Sequence, residues 1–526
     1  MRIPRVFPMT NKRVSSPYHN WTREDLIARL HQLENDSSIV NSKKDQLFSF
    51  SSHPRRKIAL KFCYAGSEYN GLAFQKDYTP LPTVEGVLFD ALARTRLIDA
   101  DKGFEGCQWE RCGRTDKGVS AAGQVISLWV RSTIGAANVN EVVEPAPDAA
   151  AFTAASPVEE TVDSIELPLM AELDAPFSSC VPPDHTTTSR LSELSYVQVL
   201  NRVLPPTIRI ICWAPVSHEF SARFSCKFRH YKYFFPASPD LDVSRMVDGA
   251  ARLVGTHDFR NLCTLDGSKQ IENHNRAIHR ADISLVGPDE VDREAGAMYV
   301  LDLVGTAFLY NQVRSIMAVL FLVGSGLEQP HIMSSLLNVD SHNPLPPYRP
   351  GEPTQVVDRK PSYQMADGLP LVLWECGYSD DDVRWRTDED PSASGALMDK
   401  EVMTTNLRHQ MLSIYNRSRI RATLEGHFLR AAANHHPVPY TPLPFPLSDE
   451  DSPSSQKFIL NIPVGGGMHV RTAKYKPLLT RERGDSVDVV NERWRLGRGK
   501  KRLEERLLAQ QERAANTEPA LIDDPD

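Results

Sequence analysis

The stretch Arg111-Cys112-Gly113-Arg114-Thr115-Asp116-Lys117-Gly118-Val119-Ser120-Ala121-Ala122-Gly123-Gln124-Val125-Ile126-Ser127-Leu128 governs the reading of the whole chain. Asp116 lies between Arg114 and Lys117 in a turn, where Asp can hydrogen-bond its own backbone and the following Gly accepts positive φ. From Gln124 to Val130, Val125, Ser127 and Trp129 alternate with Ile126, Leu128 and Val130, the period-two pattern of a strand. A carboxylate at the mouth of a strand, flanked by two cations, stays ionised and keeps a fixed direction. Nucleophilic and general-base carboxylates are presented in this way. The plainer alternative is a surface turn whose charges cancel.

Around this stretch the chain has 526 residues, enough for two or three domains with substantial cores. With 24% charged and 41% hydrophobic residues it reads as soluble and globular with polar extensions. No apolar run approaches the roughly 20 residues of a membrane span, and no membrane role is expected. The eight cysteines are scattered without a CxxC pair, which suits reduced thiols in the nucleus or cytoplasm. Cys107 and Cys112 have no second pair, so no metal site is expected. Net charge is −7, but residues 134–189 hold ten acidic residues and no Lys or Arg, leaving +3 on the remainder. Charge distribution rather than net charge governs nucleic-acid binding, so RNA stays among the candidate partners.

The organisation follows from composition and periodicity. Residues 1–54 are a basic extension in which 21–34 reads as a short amphipathic helix. This leader lacks the apolar core of a signal peptide, and a mitochondrial presequence stays open. A first folded region, 55–133, has a strand at 57–64, a helix over Thr83–Leu97 and the Asp116 turn with its strand. The segment 134–189, rich in Ala, Pro, Ser, Thr and acids, reads as a disordered insert. A second region, 190–378, is expected to hold helices at Ser192–Leu204, Ser244–Leu253 and Leu309–Val323. Its strands fall at Ile208–Trp213, Lys227–Phe235, Arg280–Val286, Met298–Val304 and Pro370–Cys376. An acidic, Pro/Ser-rich extension follows at 379–456, helical over Asn406–Ala432. The last segment, 457–526, has a short strand and a charged helix from Glu492 to about Gln511. Strands mixed with packed helices in two similar halves indicate an α+β fold with antiparallel sheets.

The string GRTDKGVSA followed by GQVIS resembles the signature of the TruA family of tRNA pseudouridine synthases. The form RCGRTDKGVSAAGQVISL is most similar to the eukaryotic branch acting at positions 38 and 39 of the anticodon arm. The branch acting at other tRNA positions and on small nuclear RNA usually has His where this chain has Ser120. The resemblance spans roughly 55–133 and 190–378, with a fainter match near 470–495. It implies two ferredoxin-like halves whose sheets join at a central cleft holding the catalytic Asp. It also implies an isomerase that moves the uracil glycosidic bond from N1 to C5, using one carboxylate and no cofactor. The implied partner is tRNA through its anticodon stem-loop, in the nucleus and cytoplasm; the sequence leaves a homodimer open.

Asp116 is the candidate catalytic residue. On strand 227–235, period two puts Arg229, Tyr231, Tyr233 and Phe235 on one face. Phe220-Ser221-Ala222-Arg223-Phe224 upstream resembles the family's F-x-A-R-F segment, which carries the active-site Tyr to Tyr231 and its neighbouring Arg to Arg229. On the helix from Leu309, Tyr310 and Arg314 are one turn apart, and a buried Arg requires a carboxylate opposite. The resemblance makes that partner Asp116; Asn311 stands where the family usually has His, and no role passes to it. Arg114 would hold the flipped nucleotide or its phosphate. His257 and Asp258, adjacent on a loop, suit a structural or RNA-backbone role. Lys57, Lys61, Arg55, Arg56, Arg202, Arg209 and Lys227 are candidate phosphate contacts. Two rival readings are the sister specificity and a non-catalytic tRNA-binding or folding protein, for which the Asp116–Tyr231–Arg314 set would have no use.

Overall fold

The computed structural model describes residues 48–134, 193–237, 241–287, 297–387, 407–433, 435–436, 460–472 and 474–501, with isolated positions at 22, 23, 27, 29 and 504. Residues 1–54 and 55–526 are separate units. In the first, Phe50–Ser52 makes a single 3-10 turn, with the Phe48 ring 4.9 Å from Phe50 and 5.0 Å from His53. The helix expected over 21–34 and the acidic insert lie almost wholly outside the described residues.

The second unit is an α+β fold on one sheet of nine strands, antiparallel but for a single junction. Its first half comprises β1 (Arg55–Tyr64), α1 (Val84–Arg94), β2 (Glu110–Arg111), β3 (Ser120–Arg131), α2 (Tyr196–Val203) and β4 (Ile208–Pro215). The strands run in the order β4-β1-β3, with β2 on the far edge of β3. This is the four-one-three-two order of a ferredoxin-like βαββαβ unit. The second half comprises β5 (Phe228–Ala237), α3 (Val243–Ala251), β6 (Gly255–Asp258), β7 (Asn275–Leu285), β8 (Ala297–Gly305), α4 (Gln312–Gly324), α5 (Ile332–Leu337) and β9 (Leu371–Gly377). Its order, β9-β5-β8-β7, repeats the same pattern, with β6 added at the edge. The halves meet where β3 and β9 pair in parallel, Ser120 with Val372 and Ala121 with Leu373.

Local chemistry explains the elements. Thr83 caps α1 by accepting the Gly86 N–H at 3.2 Å, and Leu88 and Leu92 face the core. Asp242 caps α3 in the same way through the Arg245 N–H. Every residue of α4 except Arg314 is buried, so the helix threads the core rather than lying on it.

Several sequence expectations change. α2 and β4, assigned by sequence to the second half, belong to the first, since β4 pairs with β1 from Ile58–Pro215 to Tyr64–Ile208. A long insert can hide the continuity of a βαββαβ unit, and it did so here. The segment around His257 is a short strand paired with β7, not a loop. α4 starts at Gln312 rather than Leu309, because Asn311 takes a left-handed φ of 59° and breaks the helix there. Near the C-terminus, the hairpin β10 (Leu460–Gly465) and β11 (Met468–Thr472) precedes α7 (Val487–Trp494), which begins five residues before the expected Glu492. The C-terminal segment is tied to the second half: the Tyr475 hydroxyl and Leu478 N–H both donate to Glu328 at 2.6 Å. α6 (Leu407–Ala433) falls within a residue of its expected bounds and is exposed along its length.

Candidate active site

The Asp116 loop bridges the two-residue strand β2 and the start of β3. Gly118 adopts φ 83°, as the Asp-Lys-Gly turn requires, and the Val119 N–H donates to the Asp116 carbonyl at 3.2 Å. Thr115 is buried; its Oγ1 lies 2.6 Å from the Tyr64 hydroxyl and its carbonyl accepts from the Leu72 N–H at 3.2 Å. Gly71 backs this contact at φ 90°, where a Cβ would stand 3.0 Å from the Thr115 carbonyl oxygen. Ser120 accepts the Gly66 N–H at 2.9 Å, so the residue that departs from the sister branch also holds the neighbouring turn.

Across the junction between the halves, Arg314 Nη1 lies 3.6 Å from Asp116 Oδ2, with the two side chains 17% and 29% exposed. The carboxylate that the sequence required opposite Arg314 is therefore Asp116. Arg314 is aimed by its Nε donating to the Ala366 carbonyl at 2.8 Å and its Nη1 donating to Asn311 Oδ1 at 3.4 Å. Asn311 is in turn fixed by its Nδ2 donating to Thr264 Oγ1 at 3.1 Å. Sequence reasoning left Asn311 without a role, although its place three residues before Arg314 was a usable signal. Burial raises the Asp116 pKa, and the Arg314 charge and hydrogen bond oppose that rise without cancelling it. The carboxyl group is thus a stronger base than an ordinary aspartate, in a direction fixed by a guanidinium.

Tyr231 is buried on β5 between Leu303 of β8 and Leu373 of β9, and its ring meets Phe308 edge-on at 4.9 Å. Burial pushes its phenol well above the ordinary range, so it remains a neutral donor. Tyr233 and Phe235, on the same face, pack against Phe321 of α4. Arg229 donates to the carbonyls of Thr306 (2.9 Å), Cys112 (3.1 Å) and Arg223 (3.1 Å). Expected on substrate, its guanidinium instead braces the segment entering the Asp116 loop. The neighbouring Cys226 and Cys376 thiols hold the buried Cys112 thiol below the ordinary range. Arg114 and Lys117 are exposed on the loop, and the cation that acts on the Asp116 carboxyl is Arg314 rather than these sequence neighbours. Tyr310, expected one helical turn from Arg314, precedes the helix and is 52% exposed.

The remaining candidates divide clearly. His257 and Asp258 do not converge: His257 Nε2 contacts the Val254 carbonyl at 3.0 Å, and Asp258 binds Arg260 at 2.6 Å. Lys57 is buried on the His218 carbonyl at 2.8 Å, and Arg209 caps the Ile208 carbonyl at 2.7 Å. Arg56 pairs with Glu193 at 3.0 Å and Lys61 with Glu375 at 3.5 Å. These four are engaged within the protein; Arg55, Arg202 and Lys227 are exposed, with Arg55 also donating to the Gly106 carbonyl at 2.9 Å.

Comparison with known proteins gives this arrangement its context. A sequence profile described as tRNA pseudouridine synthase matches residues 250–379, which contain Arg314. The tRNA pseudouridine(38/39) synthase of Saccharomyces cerevisiae is 36% identical over 415 residues, covering 74% of this chain and 78% of that protein. The chain belongs to the TruA family of tRNA pseudouridine synthases. Among family members, the Homo sapiens tRNA pseudouridine(38/39) synthase is 38% identical over 358 residues, covering 68% of this chain and 62% of that protein. A more distant member, tRNA pseudouridine synthase A of Methanothermobacter thermautotrophicus, is 27% identical over 295 residues, 56% of this chain and 78% of its own length. The chain thus spans 62% and 63% of the lengths of the human and mouse members.

Proposed function

We propose that this protein isomerises uridine to pseudouridine in the anticodon stem-loop of tRNA, at positions 38 and 39. The observation that carries the reading is the Asp116–Arg314 pair at 3.6 Å, one partner from each half, where β3 and β9 join. The reaction breaks the bond between uracil N1 and ribose C1′ and makes one from C5 to C1′, with the C5 proton leaving and N1 gaining one. No electrons are exchanged with another molecule. Asp116 serves either as the nucleophile at C1′ or as the base that removes the C2′ proton to give a glycal. Its burial favours both roles, since a partly desolvated carboxylate is more basic than one in water. In this reading the target uridine leaves its stack to reach the loop, where Tyr231 receives its base and Arg114 its backbone. The choice of 38 and 39 rests on the signature around Ser120 and on the names of family members similar to this chain.

The test is pseudouridine mapping by carbodiimide primer extension in tRNA from cells lacking the protein, complemented with wild type or Asp116→Ala. Pseudouridine restored at 38 and 39 by wild type alone is the expected result. Restoration by Asp116→Ala as well removes the catalytic assignment, and losses at other positions with 38 and 39 unchanged assign the sister specificity.

A further inference from the structure

Beside the Asp116 loop lies an open cavity of about 370 Å³ that the proposed chemistry does not use. Phe74 and Phe104 form its aromatic wall, with ring centroids 5.0 Å apart. Phe104 is itself held from behind, stacked on Phe89 at 4.5 Å and edge-on to Trp109 at 5.2 Å. Phe74 is different: it is 48% exposed, and Tyr78, four residues on, is 93% exposed. Two aromatic rings are thus turned to solvent on a short loop with Lys76 between them, where a core would have closed over them.

The wall is rigid and coupled to the catalytic loop. Glu85, fully buried on α1, accepts from the Phe74 N–H at 2.8 Å, from Trp109 Nε1 at 2.9 Å and from Arg111 Nε at 2.5 Å. One carboxylate therefore fixes both sides of the cavity, and Arg111 lies five residues before Asp116. On the other side, Leu72 is hydrogen-bonded to Thr115, and Phe74 is two residues beyond it. Two residues span at most about 7 Å, so Phe74 stands close to the catalytic loop.

The charges in the lining narrow the occupant. Lys102 is paired with Asp99 at 3.1 Å and Arg111 with Glu85. Lys76 has no ion-pair partner among the described residues, and Glu105 is the acid that faces the cavity. A free anion is poorly matched to such a lining. A single nucleotide is well matched, with its base stacked on Phe74, its phosphate near Lys76 and an exocyclic amino group donating to Glu105. The volume lies at the small end of ligand pockets, as one nucleotide requires.

We infer that this cavity is a second nucleotide subsite, which holds an unstacked, amino-bearing base flanking the target uridine of the same RNA. The inference rests on the tRNA reading and adds a place where the enzyme grips the strand outside its catalytic centre. Stacking there contributes affinity and fixes the register of the strand against Asp116.

The test is a double cycle of binding titrations with the full chain. The probes are synthetic anticodon stem-loops, either intact or made abasic at each nucleotide flanking the target in turn. At one flanking position, wild type is expected to lose about tenfold in affinity when the base is removed. Phe74→Ala loses about the same with the intact loop and nothing further with the abasic one. Lys76→Gln, a change at an exposed residue that leaves folding alone, lowers the salt slope by about 0.7. Additive losses, or a folded Phe74→Ala that binds like wild type at every position, overturn the subsite. Turnover is measured on the same samples. A protein that shows the cycle but makes no pseudouridine contradicts the proposed activity and supports the subsite.

Discussion

The two halves of the sheet share one four-strand order, to which the second adds β6, and they differ most at one equivalent strand. In the second half, β7 runs eleven residues and pairs with β8 from Ile278–Gly305 to Leu285–Tyr299. In the first half the corresponding β2 is two residues long, pairing only Glu110–Ser127 and Arg111–Ile126. Cutting that strand short has two consequences. The chain that would have continued the ladder becomes the Asp116 loop, and the freed edge of β3 at Ser120–Ala121 receives β9. The same deletion thus makes the loop that bears the carboxylate and the junction that brings Arg314 to it. Side-chain anchors replace the missing ladder, chiefly Glu85 and Tyr64 from the first half and Arg229 from β5 of the second.

The comparison can be broken at its anchors. Glu85→Ala strips the buried partner from Phe74, Trp109 and Arg111 and should destabilise the protein by about 3–5 kcal/mol in denaturant titration. Asp282→Ala on β7, where the exposed Arg280–Asp282 pair is 3.7 Å apart, should change stability by less than about 0.5 kcal/mol. Equal effects would show that the first half does not depend on side chains in place of a ladder.

The contribution of the second half to the site is sharpened next. Arg314→Gln should lower kcat about a hundredfold, because it removes both the charge and the direction of the carboxylate. It also carries a pH signature. Arg314 opposes the rise that burial imposes on the Asp116 pKa, so its loss lets that pKa climb further. The acid limb of the pH–rate profile then moves to higher pH, whereas a purely structural Arg314 would leave it in place. A smaller effect, about fivefold in kcat, is expected for Asn311→Ala, which frees one hydrogen bond to Arg314.

Much of this was legible in the sequence, for identifiable reasons. Asp-Lys-Gly was readable as a turn and a buried Arg314 as needing a carboxylate, but the choice of a catalytic Asp116 over a charge-cancelling surface turn, and of Asp116 as that carboxylate, came from the family resemblance. Period two put Tyr231 on one face of its strand with Arg229, Tyr233 and Phe235, and the resemblance of Phe220–Phe224 to the family's F-x-A-R-F segment singled it out. Partnerships that depend on three-dimensional neighbours were not readable. Arg229 faces three carbonyls rather than substrate, and Lys57 and Arg209 are spent inside the fold. Nothing local distinguishes a phosphate-binding cation from one that caps carbonyls. The membership of α2 and β4 in the first half was hidden by the insert, and Asn311 by its departure from the usual His. Nothing local marks Glu85 either, since the helix dipole alone favours an acid in the first turn of a helix.

The central claim is that the Asp116 carboxylate does the chemistry and that the junction between the halves exists to hold it. It is tested most directly by single-turnover pseudouridine formation with purified Asp116→Asn and a stoichiometric tRNA. The account predicts a loss of at least about a thousandfold in rate with tRNA affinity unchanged. Asp116→Asn also takes the charged partner from Arg314, so the melting temperature of the same sample is measured alongside the rate and the tRNA affinity, and a folded, tRNA-binding variant separates lost chemistry from misfolding. A folded Asp116→Asn protein that forms pseudouridine within about tenfold of the wild-type rate would contradict the account.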